Sequence, residues 1–279
     1  MYARATASTG ADGHHLRVLL LTVKLLLAPA FVVGASLTAR RHGPRVGGLV
    51  GALPVVAGPI LLVYALAHGS GFAARAAAGT LLGLISLTAF VVVYARLAGR
   101  VPWPAGLLCG WLAFALGTLL FSTLAVPTGV SLALACAAFA LGLALLPPAL
   151  AAPAAAAPPP AWDLPLRAAC ALTLVLALTA IAGWLGPQLS GLLAPFPIIA
   201  SVLATFTHTQ RGVPELRRLL RGLLSGFGAF ALFCFVLAVA LRPLGTAAAF
   251  ALACTAAVLV QSALVAHATR SGTAVEVAG

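Results

Sequence analysis

The chain has 279 residues, of which 62% are hydrophobic and 7% are charged, and its formal net charge at pH 7 is +12. A soluble domain carries about a quarter charged residues, so this composition excludes a water-soluble fold and predicts an integral membrane protein. The basic patches with interleaved aromatic residues that bind nucleic acids are absent from the sequence. The five cysteines lie inside apolar runs without C-x-x-C spacing, which predicts buried thiols.

Nine apolar runs in the sequence are long enough to cross a membrane as helices. A hydrocarbon core of about 30 Å requires roughly 20 apolar residues in helical form. The runs do not alternate as the strands of a membrane barrel do, so an all-α polytopic bundle is expected. The expected spans are 16–39, 46–67, 72–96, 104–126, 129–150, 164–185, 189–208, 217–241 and 244–267.

A stretch in the first half of the chain recurs in the second half. Residues 43–60, GPRVGGLVGALPVVAGPI, return 143 positions later as residues 186–203, GPQLSGLLAPFPIIASVL. Matched Gly-Pro pairs and a matched internal proline rarely arise by chance, so they indicate an internal duplication. The identical pairs are Gly43/Gly186, Pro44/Pro187, Gly48/Gly191, Leu49/Leu192, Pro54/Pro197 and Ala57/Ala200.

The repeat and the order of the spans together predict two halves inserted in opposite orientations. The second and third spans match the seventh and eighth, and this odd separation turns the second copy upside down relative to the first. We expect four-helix repeats at 16–126 and 164–267, with an N-terminal tail at 1–15 and a C-terminal tail at 268–279. Residues 127–163 join the repeats through an extra helix and a Pro/Ala-rich linker.

The arginines predict the orientation in the membrane. With loops on alternating sides, four arginines lie on one face and eleven on the other. Loops rich in Lys and Arg remain in the cytoplasm, so the N-terminus is expected outside and the C-terminus inside. The face with few arginines, which is expected outside, carries Arg4, Arg17, Arg75 and Arg242.

Prolines interrupt two matched spans. Pro54, with Gly58 and Pro59, lies in the second span, and Pro195 and Pro197 lie in the seventh. A proline inside a helix removes a backbone hydrogen bond and costs about 3 kcal/mol or more. In inverted repeats, matched broken helices typically line a substrate site near the membrane midplane, where amide donors favour an anionic substrate. The alternative is that the prolines only kink the helices for packing.

Three polar side chains complete the expected site. Ser201 and Thr205 are available to satisfy carbonyls that the prolines free. Lys24 is the one ionisable side chain well within a span, where such residues usually have a function, although its long stem also allows it to reach the headgroups. The hypothesised substrate-binding residues are Lys24, Pro54, Gly58, Pro59, Pro195, Pro197, Ser201 and Thr205.

Several kinds of chemistry have no support in the sequence. None of the expected spans contains Asp or Glu, which disfavours a cation exporter driven by protons. The sequence lacks a G-x-S-x-G motif, a phosphate-binding loop and a set of His, Cys, Asp or Glu residues with metal spacing. We therefore expect no enzyme activity, no cofactor and no metal.

Residues 189–212, LSGLLAPFPIIASVLATFTHTQRG, resemble the G-L-x-x-x-F-P core of the GlpM-like small bacterial inner-membrane proteins, which are short four-helix chains. Residues 49–60 match this core more weakly, with Leu53 at the position of Phe196. The chain thus resembles two such units fused. The resemblance implies a location in the bacterial inner membrane and a link to envelope or polysaccharide physiology, and it supplies no catalytic residues.

These features favour a secondary transporter or a flippase. Without acidic residues in its spans, it is expected to move a neutral or anionic, partly apolar small molecule or lipid-linked compound. Its expected partners are membrane lipids and that substrate. The alternative is a scaffold or accessory subunit of an envelope or polysaccharide system that transports nothing itself.

Overall fold

A computed structural model of the chain describes residues 26–122, 124, 126–148, 160–192 and 195–277, with side chains described outside 178–192 and 271–277. These residues form eight helices and no strand. The expected all-α class is therefore confirmed. Lys24 and most of the Pro/Ala-rich linker lie outside the described residues.

We number the helices α1 to α8 in chain order. The last helix contains non-helical φ/ψ values at Gly212 and Gly245, which divide it into three segments, α8a (198–211), α8b (213–244) and α8c (246–277). The complete set is α1 (26–42), α2 (Pro44–Gly51), α3 (Ala57–His68), α4 (Ser70–Leu97), α5 (Trp103–Ser122), α6 (Thr128–Leu145), α7 (Asp163–Leu192) and α8 (Ile198–Val277).

Four helices of the described chain are long and apolar enough to cross a membrane: Ser70–Leu97, Trp103–Ser122, Thr128–Leu145 and Ile198–Arg270. These helices are consistent with a membrane-embedded protein. The number of nine spans is not confirmed, because the expected span 46–67 is divided between α2 and α3 and the last spans follow one another within α8. The expected boundary between the spans 164–185 and 189–208 is wrong, since α7 continues through Gly186 and Pro187. At about 1.5 Å per residue, the 12 residues of α3 reach only about 18 Å, which is too short to cross the core alone.

Glycine and proline set many of the helix ends. Pro44 occupies the start of α2, where the missing N–H leaves no hydrogen bond unmade. Gly69 (φ 84°) separates α3 from α4, and Gly212 (φ 82°) separates α8a from α8b. Other L-residues rarely adopt this positive φ, so glycine permits both abrupt changes of direction. The two glycines lie 143 positions apart, which is the offset of the sequence repeat.

Helices α4 and α8b form the centre of the bundle. Phe90 and Tyr94 of α4 and Phe227 and Phe233 of α8b are at most 2% exposed. Helices α5 and α6 pack against α4 and present exposed leucines on the opposite side, such as Leu116 at 67% and Leu141 at 60%. An apolar outer surface of this kind is stable when lipid tails cover it.

Candidate functional site: two helix breaks and a lateral groove

The first helix break lies at residues 52–56, between α2 and α3. Pro54 has no N–H to continue a helix, so the chain turns sharply around it. The Val55 amide donates to the Leu53 carbonyl at 2.8 Å, and the Gly58 amide donates to the Pro54 carbonyl at 2.8 Å. The second of these bonds starts α3.

The second helix break precedes α8 and includes residues 195–197. The Ile198 amide donates to the Phe196 carbonyl at 2.7 Å, and the Ser201 amide donates to the Pro197 carbonyl at 2.8 Å. Both bonds have their counterparts in the first break exactly one repeat offset earlier in the chain, around Pro54. The two breaks therefore have the same local hydrogen-bond pattern.

The two breaks face each other across a cavity of about 50 Å³, which we call the central cavity. Pro54, Pro195 and Pro197 all line it, whereas Gly58 and Pro59 lie in the first turn of α3 and do not. The lining is mostly apolar, and the volume corresponds to one or two water molecules. In this conformation the central cavity has no room for a substrate.

Each half contacts the other through residues at equivalent positions of the repeat. A Cβ added to Gly226 would lie 2.6 Å from Cβ of Ala52, and one added to Gly83 would lie 2.5 Å from Cγ of Pro195. Ala52 and Pro195 are separated by the repeat offset, and so are Gly83 and Gly226. Each break thus packs on a glycine of the opposite half, and the two glycines are at equivalent positions of the repeat.

A buried glutamine adds a second hydrogen bond to a carbonyl beside the first break, the Leu49 carbonyl, which also accepts from the Ala52 amide at 3.1 Å. Gln261 of α8c is 4% exposed, and its Nε2 donates to the carbonyl of Leu49 near the end of α2. The bond occupies the second lone pair of this carbonyl and ties α8c to the end of α2, beside the break. Sequence analysis missed Gln261, although its position as an amide within the apolar run 244–267 was a usable signal.

Ser201 and Thr205 do not serve this purpose among the described residues. Ser201 Oγ accepts a hydrogen bond of 2.9 Å from the Trp111 indole, which ties α8a to α5. Thr205 Oγ1 is buried and makes no hydrogen bond within the described part of the chain. Both residues instead line a second and much larger cavity.

This second cavity, which we call the lateral groove, has a volume of about 800 Å³. Trp103 and Trp162, 41% and 58% exposed, lie at one end, and Trp111 lies about 12 Å further along α5 and Leu174 about 18 Å further along α7. Apolar side chains dominate the wall, as they do in pockets for partly apolar ligands. The lining residues are Trp103, Leu107, Trp111, Trp162, Leu166, Ala169, Cys170, Thr173, Leu174, Ser201, Val202, Thr205, Phe206, Thr209 and Gln210.

A buried ionic network, centred on Asp163, lies at the same end as the two tryptophans. The Asp163 side chain is fully buried and accepts hydrogen bonds from Arg40 at 2.6 Å, from Arg167 at 2.9 and 3.0 Å and from Gln210 at 2.6 Å. Burial alone would raise the pKa of this carboxyl, but the hydrogen bonds from Arg167, Gln210 and Arg40 outweigh burial and hold the pKa below its usual value. The network joins α1, α7 and α8a.

Similarity to known proteins does not identify the chain, since no known protein family, curated protein or solved structure matches it. The resemblance of residues 189–212 to the GlpM-like proteins therefore stays a prediction. Within the described residues, His, Cys, Asp and Glu form no group of three that could hold a metal ion.

Proposed function

We propose that the protein is a secondary transporter or flippase built from two inverted halves, and that it moves an anionic or neutral, partly apolar molecule across the bacterial inner membrane. One observation carries this proposal. Two proline-centred helix breaks with the same hydrogen-bond pattern face each other across one cavity. Broken helices at equivalent positions of inverted repeats are the usual substrate sites of transporters.

The contacts at equivalent positions of the repeat support two halves that move against each other. Gly83 and Gly226 hold the opposite break without a side chain of their own between them, so each break meets the other half through a smooth contact within the extensive packing of α8b on α2 and α4. Such a contact permits rocking of one half on the other around a fixed site. In this proposal the central cavity of about 50 Å³ belongs to the closed state, and it widens when the halves move apart.

The size and apolar wall of the lateral groove favour a lipid-linked substrate over a small polar one. A volume of about 800 Å³ accommodates a large part of an acyl chain. Trp103 and Trp162 at its end are the residues expected at the boundary between lipid tails and headgroups. We propose that the apolar part of the substrate enters here from the leaflet on the cytoplasmic side.

Inverted insertion is testable with one matched pair of positions. His68 and Arg211 lie one repeat offset apart, directly before Gly69 and Gly212. In a variant without native cysteines, we expect His68→Cys to react with an impermeant thiol reagent from outside the cell. Arg211→Cys is expected to react only after permeabilisation. Labelling of both cysteines from the same side would contradict the inverted arrangement.

Lipid transfer is testable in proteoliposomes with a fluorescent phosphatidylglycerol whose outer-leaflet copies are bleached by dithionite. We expect the protein to accelerate transfer between leaflets and Cys170→Trp, which places an indole ring in the wall of the lateral groove and narrows it, to slow transfer at least tenfold. Cys109→Trp is the control, since Cys109 is exposed on the outside of α5. The prediction of buried thiols is wrong for Cys109, Cys136 and Cys254, which are all exposed, and holds for Cys234. The double variant Pro54→Ala and Pro197→Ala should slow lipid transfer more than it lowers the stability of the folded protein.

The same assay separates the proposal from the scaffold alternative. Transfer at the rate of empty vesicles for every lipid tested, together with a partner that co-purifies in fixed stoichiometry, would favour a scaffold. Equal rates for the protein and its Cys170→Trp variant would remove the lateral groove from the transport path.

A further inference from the structure

A third cavity, of about 590 Å³, lies between α4, α6 and α8b, and we call it the arginine cavity. Arg75 in the second turn of α4 and Arg242 near the end of α8b both line it, together with Thr128 and Ser131 at the start of α6. At the other end of α6, Arg96, Arg217 and Arg221 donate hydrogen bonds to the carbonyls of residues 145–148. The arginine cavity therefore opens at the end of the bundle opposite to that cluster.

The two guanidinium groups converge on one point. A Cβ added to Gly71 would lie 3.9 Å from Nε of Arg242 and 3.9 Å from Nη1 of Arg75. Two positive charges this close repel each other unless an anion lies between or beside them.

No carboxylate among the described side chains neutralises these arginines. Asp163 pairs with Arg40 and Arg167, and Glu215 pairs with Arg218. The other acidic residues of the sequence, Asp12 and Glu276, lie outside the described side chains. Within the described part of the chain, the positive charge of the arginine cavity is uncompensated.

We propose that the arginine cavity binds a phosphate ester through Arg75 and Arg242. The planar guanidinium group binds the oxygens of a phosphate in pairs, and two such groups match a single phosphate well. Leu82, Leu124 and Ala238 give the cavity an apolar wall beside the arginines, so the ligand carries an organic part next to its phosphate. A lipid headgroup and a soluble organic phosphate share this chemistry. The site is distinct from the helix breaks, and binding there does not require transport.

Equilibrium binding to the purified full-length protein in a neutral detergent tests this inference. The probes are short-chain phosphatidylglycerol, inorganic phosphate and glycerol 3-phosphate, with calorimetry as the measurement. We expect saturable binding of at least one probe, with an affinity at least tenfold lower in Arg75→Gln and in Arg242→Gln. Arg100→Gln is the control, because Arg100 is an exposed arginine outside the arginine cavity, and it should bind like the original protein.

The probes distinguish the two sources of the phosphate ester. Binding of phosphatidylglycerol alone assigns the site to a lipid headgroup, whereas competition by glycerol 3-phosphate assigns it to a soluble ligand. Absence of saturable binding by all three probes would overturn the proposal, and so would an equal loss of affinity in Arg100→Gln. The unfolding temperature of each variant in the same detergent shows whether a loss of binding reflects misfolding. Because this experiment measures binding and not transport, a negative result does not contradict the proposed transport function. A negative result in the lipid-transfer assay likewise does not contradict phosphate binding in the arginine cavity.

Discussion

Gly222→Ala is expected to destabilise the protein by about 3 kcal/mol, although alanine is a better helix former than glycine by about 1 kcal/mol. Gly222 of α8b packs directly on the backbone of α2, where an added Cβ would overlap the carbonyl of Arg45 and lie 3.1 Å from its Cα. A backbone carbonyl cannot rotate away as a side chain can. The two helices must therefore separate to admit the methyl group, which opens a gap along their whole contact.

The matched control lies on the same helix. Gly228→Ala adds the same methyl group at a position where no described atom lies within 4 Å of the new Cβ, so we expect no loss of stability and a small gain from helix propensity. The measurement is unfolding in mixed micelles with increasing denaturing detergent, followed by tryptophan fluorescence. Equal stability of the two variants would show that α2 and α8b do not touch backbone to backbone in the membrane.

Glycines spaced four residues apart predict close helix contacts, and the structure shows where this holds. Gly222 and Gly226 both lie against the first half, at Arg45 and Ala52, and Gly83 lies against Pro195. Gly79, four residues before Gly83, has no described atom within 4 Å of an added Cβ and so makes no close contact there. Small residues thus indicate a packing face, but which of them touch a partner depends on the angle between the helices.

The helix breaks could be predicted from sequence because their cause is local. Pro54 and Pro197 lack the N–H that would continue a helix, so a break at each follows from the local sequence. A proline does not end a helix in every case, since Pro187 lies within α7. Gln261 was not predictable as the partner of Leu49, because 212 positions separate them and only the packing of α8c on α2 brings them together. The lateral groove has the same origin, since three helices that are distant in sequence form its wall.

Asp163 shows a further limit of reasoning from charge patterns. In the sequence it lies at the end of the linking region 127–163, beside the prolines, and this position predicts an exposed loop residue. In the structure it is fully buried at the start of α7 and neutralises arginines from two helices. One of these, Arg40, is 123 positions away, so the pair could not be found from spacing.

Asp163→Asn is expected to cost about 3 kcal/mol or more, because it leaves Arg40 and the buried Arg167 without their counter-charge. Glu215→Gln is the control: it removes the pair with Arg218, whose side chain is 35% exposed, and should cost less than about 1 kcal/mol. The free energy of unfolding of both variants is measured in the same micelles at pH 7.

The pH dependence of the free energy of unfolding provides an independent test of the charge on the Asp163 carboxyl. Its pKa in the folded protein lies below the value of about 3.9 expected in the unfolded chain. A lowered pKa contributes stability that is fully present above about pH 5 and is lost as the pH falls through the folded value. The difference in stability between the original protein and Asp163→Asn should therefore be constant from about pH 5 to 7 and shrink under stronger acid. A difference that does not change below pH 4 would mean that folding does not lower the pKa of Asp163, and the ionic network would then contribute no charge-dependent stability to the packing of α1, α7 and α8a.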